Sequence, residues 1–212
     1  MSVLFGLLLG LLQGLRHALE PDHVVALSTM IAEARTARTR VAYAAAWGLG
    51  HAAMLLVVGA VLMAARSRLP ARLDAAFELG VAVMLVGLGL RALVHAARRV
   101  HGAAEAHGAR PWRGVGPLAM GMVHGLAGSG ALTALVMAEL PSFRLGVAFM
   151  LLFGLGATLG MSLLAGLAGT AIQRLLALRW GAAGLLGATG FLSLGLGLLW
   201  IGPAFQGVFL DR

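Results

Sequence analysis

The segment Arg16-His17-Ala18-Leu19-Glu20-Pro21-Asp22-His23 gathers two imidazoles, two carboxylates, a guanidinium and a proline into eight residues of an otherwise apolar run. Imidazole nitrogen and carboxylate oxygen are donors that suit a borderline divalent ion such as nickel or cobalt, whereas copper(I) prefers sulfur. On a regular helix His17 and Asp22 would point about 140° apart, with His23 about 120° to the other side of His17, so the three could not share one ion. Pro21 changes this. It has no N–H for the His17 carbonyl four residues earlier, and its ring pushes that carbonyl away, which predicts a helix broken near Pro21. A freed His17 carbonyl, two imidazoles and Asp22 are then expected to converge on a pocket of ionic size. Arg16 and Glu20, four apart, are expected to pair and offset part of the cost of placing charge in lipid. The alternative is a helix cap with interfacial histidines at the end of a short span.

The elements that must position this cluster are membrane helices. The chain has 212 residues, 60% hydrophobic and only 11% charged, too apolar for a water-facing surface. Segments 41–65, 114–138, 145–173 and 181–210 contain no Arg, Asp or Glu, and each exceeds the roughly 20 residues that cross a bilayer. Two more, about 3–31 and 76–97, appear once internal charges are tolerated, predicting an all-α integral membrane protein of six spans. The first span has no basic leader and runs into the charged cluster rather than a cleavage site, so it is read as structure. The net charge of +8 comes from arginine alone and points to loops facing anionic lipid. The basic residues are dispersed among short loops without interleaved aromatics, so no nucleic-acid partner is expected. Cysteine is absent, which excludes disulfides, thiolate metal sites and thiol redox chemistry. Arginines in alternate loops divide nine against five, which predicts a multi-pass protein of the cell membrane with both termini outside and loop 98–113 cytoplasmic.

Displacing the chain by about 107 residues aligns LGLLQGLRHALEPDHVVAL with LAMGMVHGLAGSGALTAL, WGLGHAAML with FGLGATLGM, and VGLGLRAL with LGLGLLWI. His17 then meets His124, Asp22 meets Ser129, and His51 meets Ala157. Three matches at one displacement predict a duplication, and three helices per copy is an odd number, so the halves enter the membrane in opposite directions. The expected organisation is a single membrane domain with repeat one at about 1–97, the loop at 98–113, repeat two at 114–202 and a short tail at 203–212. Transporters of this plan place their site near the midplane at the repeat interface, where helices are interrupted.

The chain resembles the nickel/cobalt transporters, and within them a shorter six-helix branch of membrane proteins classed as urease accessory. The resemblance rests on Arg16-His17 and, after four intervening residues, Asp22-His23; on Gly48-Leu49-Gly50-His51; and on Val123-His124-Gly125-Leu126-Ala127-Gly128-Ser129-Gly130. It departs from the transporter pattern in having Glu20-Pro21 where Asp-Ala is usual, and in lacking the extra helices of larger members. The resemblance implies a secondary transporter of a divalent metal, nickel or cobalt, with no other cofactor. Its metal residues would be His17, Asp22, His23, His51 and His124, with Glu20, Arg16 and Ser129 as lesser contributors. It equally allows an accessory protein that supplies metal to metalloenzyme maturation proteins, or an efflux protein.

Other polar residues have plainer readings. His51 and His124 are open to a structural role, hydrogen-bonded between helices. Thr133 is expected in packing or an interhelical hydrogen bond, Met120 and Met122 in the core. His95, His101 and His107 beside Glu105 are expected in or beside a solvated loop, with metal collection as the alternative, and Trp112, Trp180 and Trp200 in the interfacial belt. No enzyme is predicted. Gly128-Ser129-Gly130 faintly resembles the site of intramembrane serine proteases, but residues 181–201 offer no histidine base, and no HExxH zinc motif occurs.

Overall fold

The computed structural model describes residues 3–32, 34, 36–100, 116–140, 142–176 and 181–210. All of the regular structure among them is helical. In chain order the helices are α1 (Val3–His17), α2 (Pro21–Ala32), α3 (Ala37–Ala64), α4 (Ala71–Val100), α5 (Gly116–Leu126), α6 (Ser129–Glu139), α7 (Phe143–Leu176) and α8 (Gly181–Phe209). Four stretches, Ala37–Ala64, Ala71–Val100, Phe143–Gly169 and Ala183–Phe209, are long and apolar enough to cross a membrane. A fifth arises if the pair Gly116–Leu126 and Gly130–Ala138, bent by 54°, is one span. The first of the six expected spans is not one long helix: α1 and α2 are short, and at 15 residues α1 rises only about 22 Å, less than the ~30 Å hydrocarbon thickness. Boundaries also move. Helix α4 runs on to Val100, and α8 passes through Pro203 to Phe209, so most of the expected tail is helical. The expected loop beyond residue 100 lies outside the described residues.

Local chemistry sets the ends. Thr36 caps α3, its hydroxyl accepting from the Thr39 N–H at 3.1 Å, and the Ser142 hydroxyl accepts from the Leu145 N–H at the start of α7. Pro21 is the first residue of α2, where a missing N–H costs nothing. The break between α5 and α6 turns on Gly128, whose φ of 79° lies in the left-handed region that a side chain would resist.

Packing follows a reciprocal pattern. Helix α1 lies along α7 and α5 along α3, while α3 packs on α7 and α4 on α8. The starts of α2 and α6, α3 and α7, and α4 and α8 are 108, 106 and 110 residues apart. The closest backbone approaches mirror each other as well. A Cβ on Gly50 would strike the Leu118 carbonyl, and one on Gly156 would strike the Leu11 carbonyl. Ser193 ties α8 to α4 by donating to the Leu85 carbonyl at 2.7 Å, a buried interhelical bond. The outer faces carry bare leucines such as Leu163, Leu167 and Leu199, as a lipid-facing surface requires. Arg40, counted among the loop arginines, is instead buried and donates to the Ala34 carbonyl at 3.4 Å.

Because helix backbones touch at Gly50 and Gly156, a branched side chain there must push α3 from α5 or α7 from α1. Gly50→Val and Gly156→Val are each expected to destabilise the protein by at least the ~1–3 kcal/mol typical of overpacking. Gly87→Ala, where nothing lies within 4 Å, should leave stability unchanged or higher. Apparent melting temperatures in detergent distinguish these outcomes.

Candidate metal centre

The break in the first helix spans residues 18–20. Helix α1 ends at His17, α2 starts at Pro21, and the turn between them closes with Leu19 N–H donating to Arg16 O and Glu20 N–H donating to His17 O at 3.0 Å. The His17 carbonyl is therefore engaged, contrary to the expected free oxygen: the turn satisfies it locally, as backbone in an apolar setting requires. The Glu20 carbonyl in turn accepts from Val24 and starts α2. The expected Arg16–Glu20 pair does not form. Glu20 Oε2 lies 2.9 Å from His17 Nδ1 instead, because the turn brings residues three apart onto one side.

Across the break the side chains converge. His17 comes from the end of α1, Asp22 and His23 from the first turn of α2, His51 from the middle of α3, and His124 from α5 just before its own break. Ring centroids of His17 and His23 are 4.4 Å apart, His17 and His51 5.2 Å, His23 and His51 5.2 Å, and His23 and His124 4.2 Å. The approach of α5 to α3 that allows this is set by Gly125, where a Cβ would meet the His51 backbone carbonyl. Asp22, alone in its own segment, is bound from 102 residues away: His124 Nε2 donates to its Oδ2 at 2.7 Å. Its Oδ1 is 3.3 Å from His23 Nδ1 without hydrogen-bond alignment. His23 and His51 are each only 1% exposed, His124 2% and Asp22 7%, so a polar centre is enclosed in apolar protein.

The unpartnered atoms reveal the chemistry this centre can do. His17 Nε2, both nitrogens of His23, both of His51 and His124 Nδ1 are buried without a hydrogen-bond partner. Leaving so many polar atoms unpaired costs about 1–3 kcal/mol each, unless something else takes their lone pairs. A cation is such a partner. Donor atoms of His17, His23 and His51 lie within 4.8 Å of one another, and so do those of Asp22, His23 and His124. His17 and His124 each face a carboxylate with one ring nitrogen and leave the other free, the arrangement that orients a ligating imidazole.

Two aromatic walls escaped the sequence reading. Trp47 stacks on His23 with centroids 6.1 Å apart and meets His124 edge-on at 5.6 Å, while Phe153 lies 5.1 Å from His17. Trp47 and Phe153 are matched in the internal alignment just as His124 and His17 are, and that pairing was the available signal. A partly open cavity of about 410 Å³ reaches the centre, lined among others by Gln13, Arg16, His17, Glu20 and Gly128. Among the remaining expectations, Thr133 is buried beside Gly59 and Met120 packs on the core, but Met122 is on the outer face. His95 lies within α4. The Ser129 side chain, His101, Glu105, His107, Trp112 and Trp180 fall outside the described residues.

Comparison with characterised proteins finds the urease accessory protein UreH of Bacillus sp. (strain TB-90), 30% identical over 164 residues that cover 73% of this chain and 72% of the relative. The chain belongs to the UreH family of urease accessory proteins. No protein-family model and no solved structure matches it. Membership in the UreH family places the chain among accessory proteins rather than enzymes.

The Asp22–His124 bond is the polar link between two broken helices. Asp22→Ala is expected to strip His124 of its partner and lower stability by about 1–3 kcal/mol, with Asp22→Asn, which keeps an acceptor, costing less. Thermal unfolding in detergent checks the order, and an Asp22→Ala protein as stable as wild type would contradict it.

Proposed function

We propose that this UreH-family protein is a secondary transporter of a divalent transition-metal cation, nickel or cobalt, which passes through the His17, Asp22, His23, His51 and His124 centre. The observation that carries this reading is the set of buried imidazole nitrogens left without partners at a helix break. A hydrated dication sheds water in apolar protein only where other donors replace it, and nitrogen with one carboxylate oxygen suits nickel and cobalt better than calcium or magnesium. The cavity beside His17 supplies an approach for the ion. Glu20 and Arg16 line that approach, Glu20 orienting His17 rather than binding the ion.

The architecture we infer is two inverted three-helix repeats, each opening with a broken helix and meeting at the centre. The reciprocal packing of α1 on α7 and α5 on α3 supports this, as do the matched helix starts. The arginine distribution favours both termini outside, although buried Arg40 contributes no free loop charge. For an importer, an inside-negative potential would draw a dication inward with about 4.6 kcal/mol per 100 mV, twice the single-charge figure. The name of the relative favours a narrower physiological reading, in which the metal is destined for urease maturation proteins. Binding without translocation would make the protein a metal-holding accessory rather than a transporter.

Uptake of nickel into proteoliposomes tests the proposal. His17→Ala, Asp22→Ala and His23→Ala are each expected to abolish uptake, and His101→Ala to retain nearly all of it. Equal uptake by all four variants would end the transport reading.

A further inference from the structure

We propose that the centre is two metal stations in series, sharing His23, rather than one site with five ligands. This rests on the metal-binding reading above and divides it. The donor atoms fall into two compact sets, His17 with His23 and His51, and Asp22 with His23 and His124; His23 alone belongs to both. The sets differ chemically: the first is three imidazoles, the second has two imidazoles and a carboxylate. They also differ in access. Of the five residues, only His17 lines the cavity, so the all-imidazole set is the outer station and the Asp22 set the inner one. Trp47 packs against the inner station, stacked on His23 and set edge-on to His124.

His23 is built for the hand-over. Its two ring nitrogens lie on different edges of the imidazole, and both are buried without a hydrogen-bond partner. Nδ1 is 3.3 Å from the Asp22 carboxylate, on the inner side. An ion held by His17, His51 and one His23 nitrogen can therefore advance by taking up Asp22 and His124 as it leaves His17 and His51, its bond to the first His23 nitrogen breaking as the bond to the other forms. The ion is never returned to bare apolar surroundings between stations. The carboxylate makes the inner station the more attractive one for a dication, which gives the step its direction. Close spacing of two dications around one imidazole is repulsive, so one ion occupies the pair at a time.

Cobalt(II) titration of the purified full-length protein in detergent, followed by the absorption bands of the bound ion, tests the division. Asp22→Asn and His51→Ala are each expected to bind cobalt with different spectra, one from imidazole alone and one including carboxylate. Adding His124→Ala to Asp22→Asn should leave spectrum and affinity within about twofold of Asp22→Asn alone, since the second change falls in a station already lost. Adding His17→Ala to His51→Ala should be equally silent, whereas Asp22→Asn with His51→Ala should lose cobalt, as should His23→Ala. Both silent pairs should bind cobalt yet fail to carry it into proteoliposomes. A further loss of tenfold or more in either silent pair, or one common spectrum for Asp22→Asn and His51→Ala, would show a single shared site and overturn the two-station arrangement. Wild-type protein that binds no cobalt or nickel would instead remove the metal-binding reading itself. Monodisperse elution of each variant separates lost binding from lost folding.

Discussion

A charged carboxylate enclosed by apolar helices must find a partner, and Asp22 finds it in His124. That one requirement links most of the architecture. The bond can form only if α2 begins where it does, with Asp22 in its first turn, and only if α5 carries His124 to the same depth before breaking at Gly128. It joins the two interrupted helices across the middle of the protein, and His23, His51 and His17 assemble around the junction. Trp47 and Phe153 then cover the imidazoles with aromatic faces. The polar centre is thus held by the same contacts that hold the two halves of the chain together.

Much of this was legible in the sequence. The helical membrane class followed from uncharged runs, and the break from a proline among histidines and acids. Those signals are local or periodic, and the physics behind them acts on neighbouring residues. His124 was singled out through its match with His17, although its bond to Asp22 was not foreseen, because no local rule specifies which side chain arrives from 102 residues away.

Other details escaped for related reasons. Removal of the proline N–H was expected to free the His17 carbonyl, yet a tight turn supplied the Glu20 N–H in its place. The same turn rotated Glu20 from Arg16 toward His17, a difference of one residue in spacing that helical geometry alone would not give. Nothing in the sequence around Trp47 singles it out, because its place as a wall depends on the packing of α5 on α3. That α1 ends too short to cross a bilayer by itself escaped although the break near Pro21 was expected, because hydrophobicity continues across the break while the backbone hydrogen-bond ladder does not.

The exchange of partners between halves bears on how such a chain is made. Helix α1 leaves the ribosome well before α7, the helix it lies against. Until α7 emerges, α1 lacks the helix it packs along, and Asp22 lacks its mate until His124 emerges in α5. Early helices therefore wait for late ones, and the polar centre cannot close before the second half of the chain has begun to emerge.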